Sequence, residues 1–282
     1  MRPKQWIKNL LIIFPPLISG EFLNWEWHRY TSLLYSVLLF TIASIIVYLF
    51  NDLNDVLHDS QHPKKKLRPL ASGSLTKRTV LVLLGILIIP FSLISMWVPD
   101  ATKLVVAIYL LINLLYSLWI KQIAYWEMFA IASGFVLRTL TGTILVTRQP
   151  SKEFFVVIFF GSLFIVISKR LAEFVSINSS PRHVLKNYSQ FGLQAFAQIS
   201  VAVVLVSYCN FVFSTYFLTI NVISEYFLII SILPFTAIMF TLLDNSLKYK
   251  MEEPEDLITR SIPLVLSGIC WLSLFIAHSV TR

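Results

Sequence analysis

Residues 31–59 read TSLLYSVLLFTIASIIVYLFNDLNDVLHD, and this stretch decides the fold. Its first part, 31–50, carries no charged side chain and has the length of about 20 residues that an α-helix needs to cross a bilayer. Its second part spaces Asp52, Asp55 and Asp59 three and then four residues apart, so one helical face carries three carboxylates. Like charges at that spacing weaken a helix by roughly 0.2–0.5 kcal/mol per pair, and by more beside a low-dielectric membrane. A bound cation lifts the penalty. Oxygen donors suit Mg²⁺, which takes one or two carboxylates and keeps positions for water and phosphate oxygens. The stretch therefore reads as a spanning helix ending in a magnesium–diphosphate grip, with Asn51 orienting the acids. The competing reading is a solvated helix end whose acids pair with nearby lysines, although ionisable residues at a membrane edge are functional by default.

The rest of the chain agrees with a membrane setting. Of its 282 residues, 56% are hydrophobic and 13% charged, where a soluble domain has about a quarter charged. The apolar segments run almost end to end, so 1–282 reads as a single integral membrane domain. The net charge of +8 does not point to nucleic acid, because no soluble basic face exists to carry it. Cys209 and Cys270 lack metal or disulfide spacing and read as buried thiols. Arg2, Lys4 and Lys8 precede an apolar run that Pro15 and Pro16 interrupt, with no small-residue cleavage site after it, so the start reads as a first span rather than a signal peptide.

Hydropathy predicts an all-α polytopic protein with about nine spans, near 9–22, 31–50, 79–98, 102–120, 127–147, 153–171, 193–216, 221–243 and 261–280. With the N-terminus in the cytoplasm, only Arg29, Lys103, Arg148, Lys152 and Arg282 of the 23 Lys and Arg fall on the far side, and Arg138 falls within a span. That asymmetry is what the positive-inside rule expects of an inner-membrane protein. Nearly all polar clusters lie in the longer cytoplasmic loops, so the active-site cavity is expected to face the cytoplasm.

Other residues join the acidic stretch as candidates. Arg68 lies between the cations Lys64, Lys65 and Lys66 and a Pro69-Leu70-Ala71-Ser72-Gly73 turn that fixes its backbone, which suits bidentate phosphate binding. The three lysines serve equally as an anchor on anionic headgroups. Ser168-Lys169-Arg170-Leu171-Ala172-Glu173 sets Lys169 and Glu173 four apart, as a simple ion pair or as a second phosphate or metal contact. Arg138, buried in a span at about 3 kcal/mol on insertion scales, must face a polar cavity or a carboxylate. Tyr116, Lys121, Glu127 and the N-terminal Lys4, Lys8 and Asn9 complete the set. There is no P-loop, no Ser-His-Asp arrangement, no CxxC and no zinc spacing among the scattered histidines.

Asn51-Asp52-x-x-Asp55-x-x-x-Asp59 followed by Arg68-Pro69-Leu70 resembles the first aspartate-rich motif of the UbiA-type prenyltransferase superfamily, and the nine expected spans resemble its bundle. Within it, the branch of decaprenyl-phosphate phosphoribosyltransferases is similar in Arg2-Pro3-Lys4-Gln5-Trp6-Ile7-Lys8-Asn9, in His62 to Gly73, and in Ser168 to Glu173. Aromatic prenyltransferases of the superfamily carry a second aspartate pair where this chain has Lys169 and Glu173. Glu253 to Arg260 resembles the final cytoplasmic segment, with Thr259 where an aspartate is expected.

The resemblance implies transfer of 5-phosphoribose from phosphoribosyl diphosphate to a polyprenyl phosphate, in the making of a cell-envelope polysaccharide precursor. It implies Mg²⁺, with Mn²⁺ as a substitute, on Asn51, Asp52, Asp55 and Asp59. Arg68 with Lys64 and Lys66 would hold phosphate oxygens; Lys169, Arg170 and Arg138 the lipid phosphate or the 5-phosphate; Glu173 ribose hydroxyls or a second cation. Lys4, Lys8, Asn9, Tyr116 and Lys121 would line the substrates. The partners are those two substrates, membrane lipids and, in a homo-oligomer, a second copy of the chain. Two other readings stand beside this one: an aromatic prenyltransferase of quinone or haem synthesis, and an ion-coupled transporter.

Overall fold

The computed structural model describes residues 3–61, 65–147, 149–175, 187–216, 222–251 and 261–281. Among these every regular element is helical. The α-helices are α1 Phe14–Ile18, α2 Trp27–Gln61, α3 Lys77–Ser95, α4 Asp100–Leu118, α5 Trp126–Thr143, α6 Lys152–Val175, α7 Gln190–Tyr216, α8 Val222–Ile230, α9 Ile232–Leu247 and α10 Ile262–Thr281.

Among the described residues six helical stretches are long and apolar enough to cross a membrane: Trp27–Leu57, Lys77–Ser95, Asp100–Leu118, Lys152–Val175, Gln190–Ser214 and Ser224–Leu247; Ile262–His278 is a shorter apolar helix. The expected span over 9–22 is not one helix. Pro3–Ile12 is a 3-10 helix and α1 has only five residues, because Pro15 and Pro16 supply no backbone N–H and stop the ladder from running through.

The helices form two compact units. In the first, the N-terminal segment and α2–α5 enclose a core that includes Ile12, Leu39, Phe40, Val106, Tyr109 and Leu137. Exposed Trp27 and Trp97 mark one end of this unit, and exposed Trp119 and Trp126 the other. These are the amphipathic rings that gather at membrane interfaces. Between the two levels α3 exposes Leu81, Ile86 and Leu93, an apolar face that only lipid or protein can solvate.

In the second unit, α6–α10 pack around Tyr208, Val212 and Leu228. The Tyr208 ring stacks on Phe235 at 4.1 Å. Its hydroxyl accepts from the Trp271 indole at 2.8 Å and meets the Ser231 hydroxyl at 2.6 Å. Buried polar groups without water must find such partners. Cys209 is half-buried, while Cys270 is exposed on α10 rather than buried as expected. A helix face turned to lipid can carry a thiol as readily as a core can.

Candidate active site

α2 is continuous for 35 residues, about 52 Å at 1.5 Å per residue, against a hydrocarbon core of about 30 Å. The span therefore runs straight into the acidic stretch and carries it past the apolar layer. The polar residues of α2 form a stripe at helical spacing: Thr41, Ser44, Tyr48, Asn51, Asp55 and Asp59.

At the acidic end the side chains interlock. Arg68 donates from Nη1 to Asp52 Oδ1 at 3.4 Å and to the Asp59 carboxylate. Asp59 is only 4% exposed, so that pair is shielded on its acidic side. The Arg68 backbone is set by the turn that follows. Ser72 N–H donates to the Arg68 carbonyl at 2.8 Å and Leu75 N–H to that of Pro69 at 2.9 Å. Gly73 takes φ +78°, a conformation strained for other residues, and Leu70 is buried beneath.

From the other flank, Lys121 Nζ donates to Asp55 Oδ1 at 2.6 Å. Lys121 sits on the short 3-10 turn Ile120–Gln122 between α4 and α5. The second Asp55 oxygen accepts from Asn51 Nδ2 at 3.0 Å. Asn51 Oδ1 in turn accepts from the buried Ser117 hydroxyl of α4 at 2.9 Å, and Asn54 Nδ2 donates to that hydroxyl at 3.4 Å. Asn51 thus orients Asp55 and presents its oxygen to Ser117. Tyr116, next to Ser117, is half-buried.

Three carboxylates therefore face two fixed cations; the competing reading of a paired helix end expected lysines, and Lys121 supplies one to Asp55, while Asp52 and Asp59 pair with Arg68. Among the described residues no three His, Cys, Asp or Glu side chains converge as a ready ligand cluster. The donor chemistry nevertheless fits a hard divalent cation: oxygen-only groups on one helix face, with local negative charge in excess. Such an ion would compete with Arg68 and Lys121 for the same oxygens.

Arg138 differs from expectation. It is 3% exposed, and among the described residues its hydrogen-bond partners include no carboxylate. It donates to Asn9 Oδ1 (2.9 Å), the Gly134 carbonyl (2.7 Å), Tyr109 Oη (3.1 Å) and Ser44 Oγ (3.3 Å). Neutral oxygens and aromatic faces take the place of a counter-ion. Lys8 is half-buried, with Nζ 5.4 Å from the Phe135 ring centroid.

In the second unit, Glu173 pairs with Arg170 at 2.6 Å, not with Lys169. Arg170 and Glu173 are both shielded and Lys169 is exposed. On α6 the residue that turns inward is the one three positions from Glu173. The buried Ser168 hydroxyl accepts from Ser246 of α9 at 2.8 Å, tying the two helices just before Arg170. Lys66 is exposed. Lys64, the side chains of Lys4 and Lys65, and the segment Glu253 to Arg260 lie outside the described residues.

The sequence profile of the UbiA prenyltransferase family matches residues 13–258. The chain belongs to the UbiA prenyltransferase family. Among its relatives, the decaprenyl-phosphate phosphoribosyltransferase of Mycolicibacterium smegmatis is 27% identical over 96% of this chain and 88% of its own length. The protein of the same name from Mycobacterium tuberculosis is 29% identical over 97% and 90%. A UbiA homolog from Archaeoglobus fulgidus, solved with GPP and Mg²⁺, superposes with a TM-score of 0.62 at 12% identity, over 99% of this chain and 96% of that one. At that identity the likeness establishes the fold.

Within this UbiA-family chain, sequence reasoning missed Ser117, Ser44, Thr41 and Tyr109. The signal for Ser44 and Thr41 was present, as hydroxyls at three- and four-residue steps leading into Asn51. Ser117 and Tyr109 carried none, because only the packing of α4 on α2 turns them toward the stripe.

Proposed function

We propose that the chain transfers 5-phosphoribose from phosphoribosyl diphosphate to a polyprenyl phosphate of decaprenyl type, releasing diphosphate. The observation that carries the reaction class is the acidic face of α2 flanked by Arg68 and Lys121. The substrates follow from near-full-length similarity to relatives named for that reaction. Lys169 and Glu173, where a second aspartate pair stands in aromatic prenyltransferases, support two anionic substrates over one diphosphate and a neutral ring.

The acceptor phosphate is already anionic at neutral pH, so the nucleophile needs no general base. One of its oxygens forms a bond to the ribosyl C1 as the bond from C1 to the diphosphate oxygen breaks, and diphosphate leaves with the electron pair. The work left to the protein is positional and electrostatic. Asp52, Asp55 and Asp59 would hold Mg²⁺, with Asn51 orienting Asp55. When bound, the ion neutralises charge developing on the leaving diphosphate. Arg68 and Lys121, displaced from their carboxylates, turn their donors to phosphate oxygens. Lys169, an exposed cation of the second unit, would contact a second phosphate. The lysine-rich loops and the N-terminus face the cytoplasm of an inner-membrane protein, as the charge asymmetry favours, and the lipid product feeds cell-envelope polysaccharide synthesis.

Membranes containing the protein should convert labelled phosphoribosyl diphosphate and polyprenyl phosphate into a labelled lipid, and Asp55→Ala should abolish this without lowering expression. Failure of the wild-type protein to label the lipid rejects the substrates. Turnover retained in Asp55→Ala rejects the role of the acidic face.

A further inference from the structure

The Arg138 layer lies two helical turns inward from the acidic cluster, along the same helix faces. Ser44 precedes Asn51 by seven residues and Tyr109 precedes Ser117 by eight, offsets of about 10 and 12 Å that return to nearly the same face. Arg138 thus occupies the inner end of the stripe whose outer end is acidic. A buried guanidinium without a carboxylate is costly unless its N–H groups are satisfied. Here four contacts do so, from the N-terminal segment, α2, α4 and α5. The guanidinium carbon also lies 5.1 Å from the Phe40 ring centroid and 4.9 Å from that of Tyr109, where the ring faces attract a cation.

Most of this geometry converges on the chain's beginning. The Asn9 side chain, 3% exposed, accepts from Arg138 and donates to Thr41 Oγ1 at 2.9 Å. Three residues on, the segment touches α5 backbone to backbone: a Cβ at Gly142 would fall 1.9 Å from the Ile12 carbonyl oxygen. Lys8 and Arg138 share the ring of Phe135. Resting on the proposed reaction, we infer that Arg138 is a positioning residue: it clamps the N-terminal segment onto α2 and α5, and so places the Lys8 ammonium for an anionic substrate group. Most of its own N–H groups are engaged within the protein, so it acts through Asn9 and Lys8 and not by touching substrate. Lysine cannot replace it, having no planar fork to bridge four oxygens.

The test combines two independent readouts on purified protein. Amide hydrogen exchange of residues 3–12, measured without substrate or metal, should accelerate about tenfold in Arg138→Gln, Arg138→Lys and Asn9→Ala, with the cores of α2 and α4 unchanged. In the same three variants KM for phosphoribosyl diphosphate should rise about tenfold with kcat within threefold. Lys8→Ala should reproduce the KM rise without faster exchange, and Lys8→Ala with Asn9→Ala should be no worse in KM than either alone. Should Arg138 variants fail to fold, Asn9→Ala carries the test. Unchanged exchange in the variants that fold, or a fall in kcat at constant KM, overturns the inference. If the wild-type protein does not use these substrates, the exchange arm still decides the clamp, and the proposed reaction fails separately.

Discussion

The Ser117 hydroxyl donates to the Asn51 side-chain oxygen at 2.9 Å, across 66 residues of sequence. That contact fixes which way the Asn51 amide points, so that its Nδ2 donor and not its oxygen faces Asp55. Asp55 is then held between Asn51 on its own helix and Lys121 beyond the end of α4.

Loss of Ser117 should therefore be felt as metal affinity more than as stability. In Ser117→Ala the Mg²⁺ concentration for half-maximal turnover should rise about tenfold, the usual cost of losing a partner behind a ligand. The stability loss should be about 1 kcal/mol. A magnesium titration of turnover checks this; an unchanged half-saturation point would show that the Asn51 orientation is immaterial.

Arg68 bridges Asp52 and Asp59, so its removal should increase their mutual repulsion. Arg68→Ala should lose about 2 kcal/mol of stability in chelator, and saturating Mg²⁺ should restore it, because an ion that binds only the folded state stabilises by mass action. Thermal unfolding in detergent with and without Mg²⁺ measures both. An equal magnesium-induced rise in Tm for wild type and variant would mean that Arg68 and the ion do not compete.

On α6, structure and function should separate by residue. Glu173→Gln removes the carboxylate charge paired with the shielded Arg170 guanidinium and should cost about 2 kcal/mol. Lys169 is exposed, so Lys169→Ala should stay within about 0.5 kcal/mol yet lower kcat/KM if it meets a substrate phosphate. Unfolding and turnover measured on the same preparations distinguish them. A destabilised Lys169→Ala would contradict the exposed placement.

In the second unit, the Tyr208 hydroxyl serves both Trp271 and Ser231. Tyr208→Phe keeps the stack on Phe235 but strands the Trp271 indole N–H, and should cost about 1 kcal/mol, the scale of interhelical hydrogen bonds in membranes. Intrinsic tryptophan fluorescence should shift as Trp271 loses its acceptor. A neutral substitution with an unchanged spectrum would refute the bond.

Much was legible from residues alone, for reasons that are local. Twenty mostly apolar residues in a row form a helix in lipid, because a helix satisfies the backbone within one segment, and the run is too long and unbroken for a barrel strand. Three aspartates at helical spacing must share a face, and Asn51, Asp52, Asp55, Asp59 and Arg68 do share one locality. Where local rules ran against covalent limits, at Pro15 and Pro16, the expected first span gave way to a 3-10 segment and a five-residue helix.

What only the tertiary structure decided is which partner each charge takes. Spacing on α6 paired Glu173 with Lys169; the packing that exposes Lys169 and buries Arg170 gives it Arg170 instead. Sequence required Arg138 to be compensated, and left open by what. Four neutral oxygens from segments up to 129 residues away supply the answer. Periodicity is a property of one helix and can be read along the chain. A charge's partner depends on how helices rotate and slide against each other, and that is set by packing across the whole bundle.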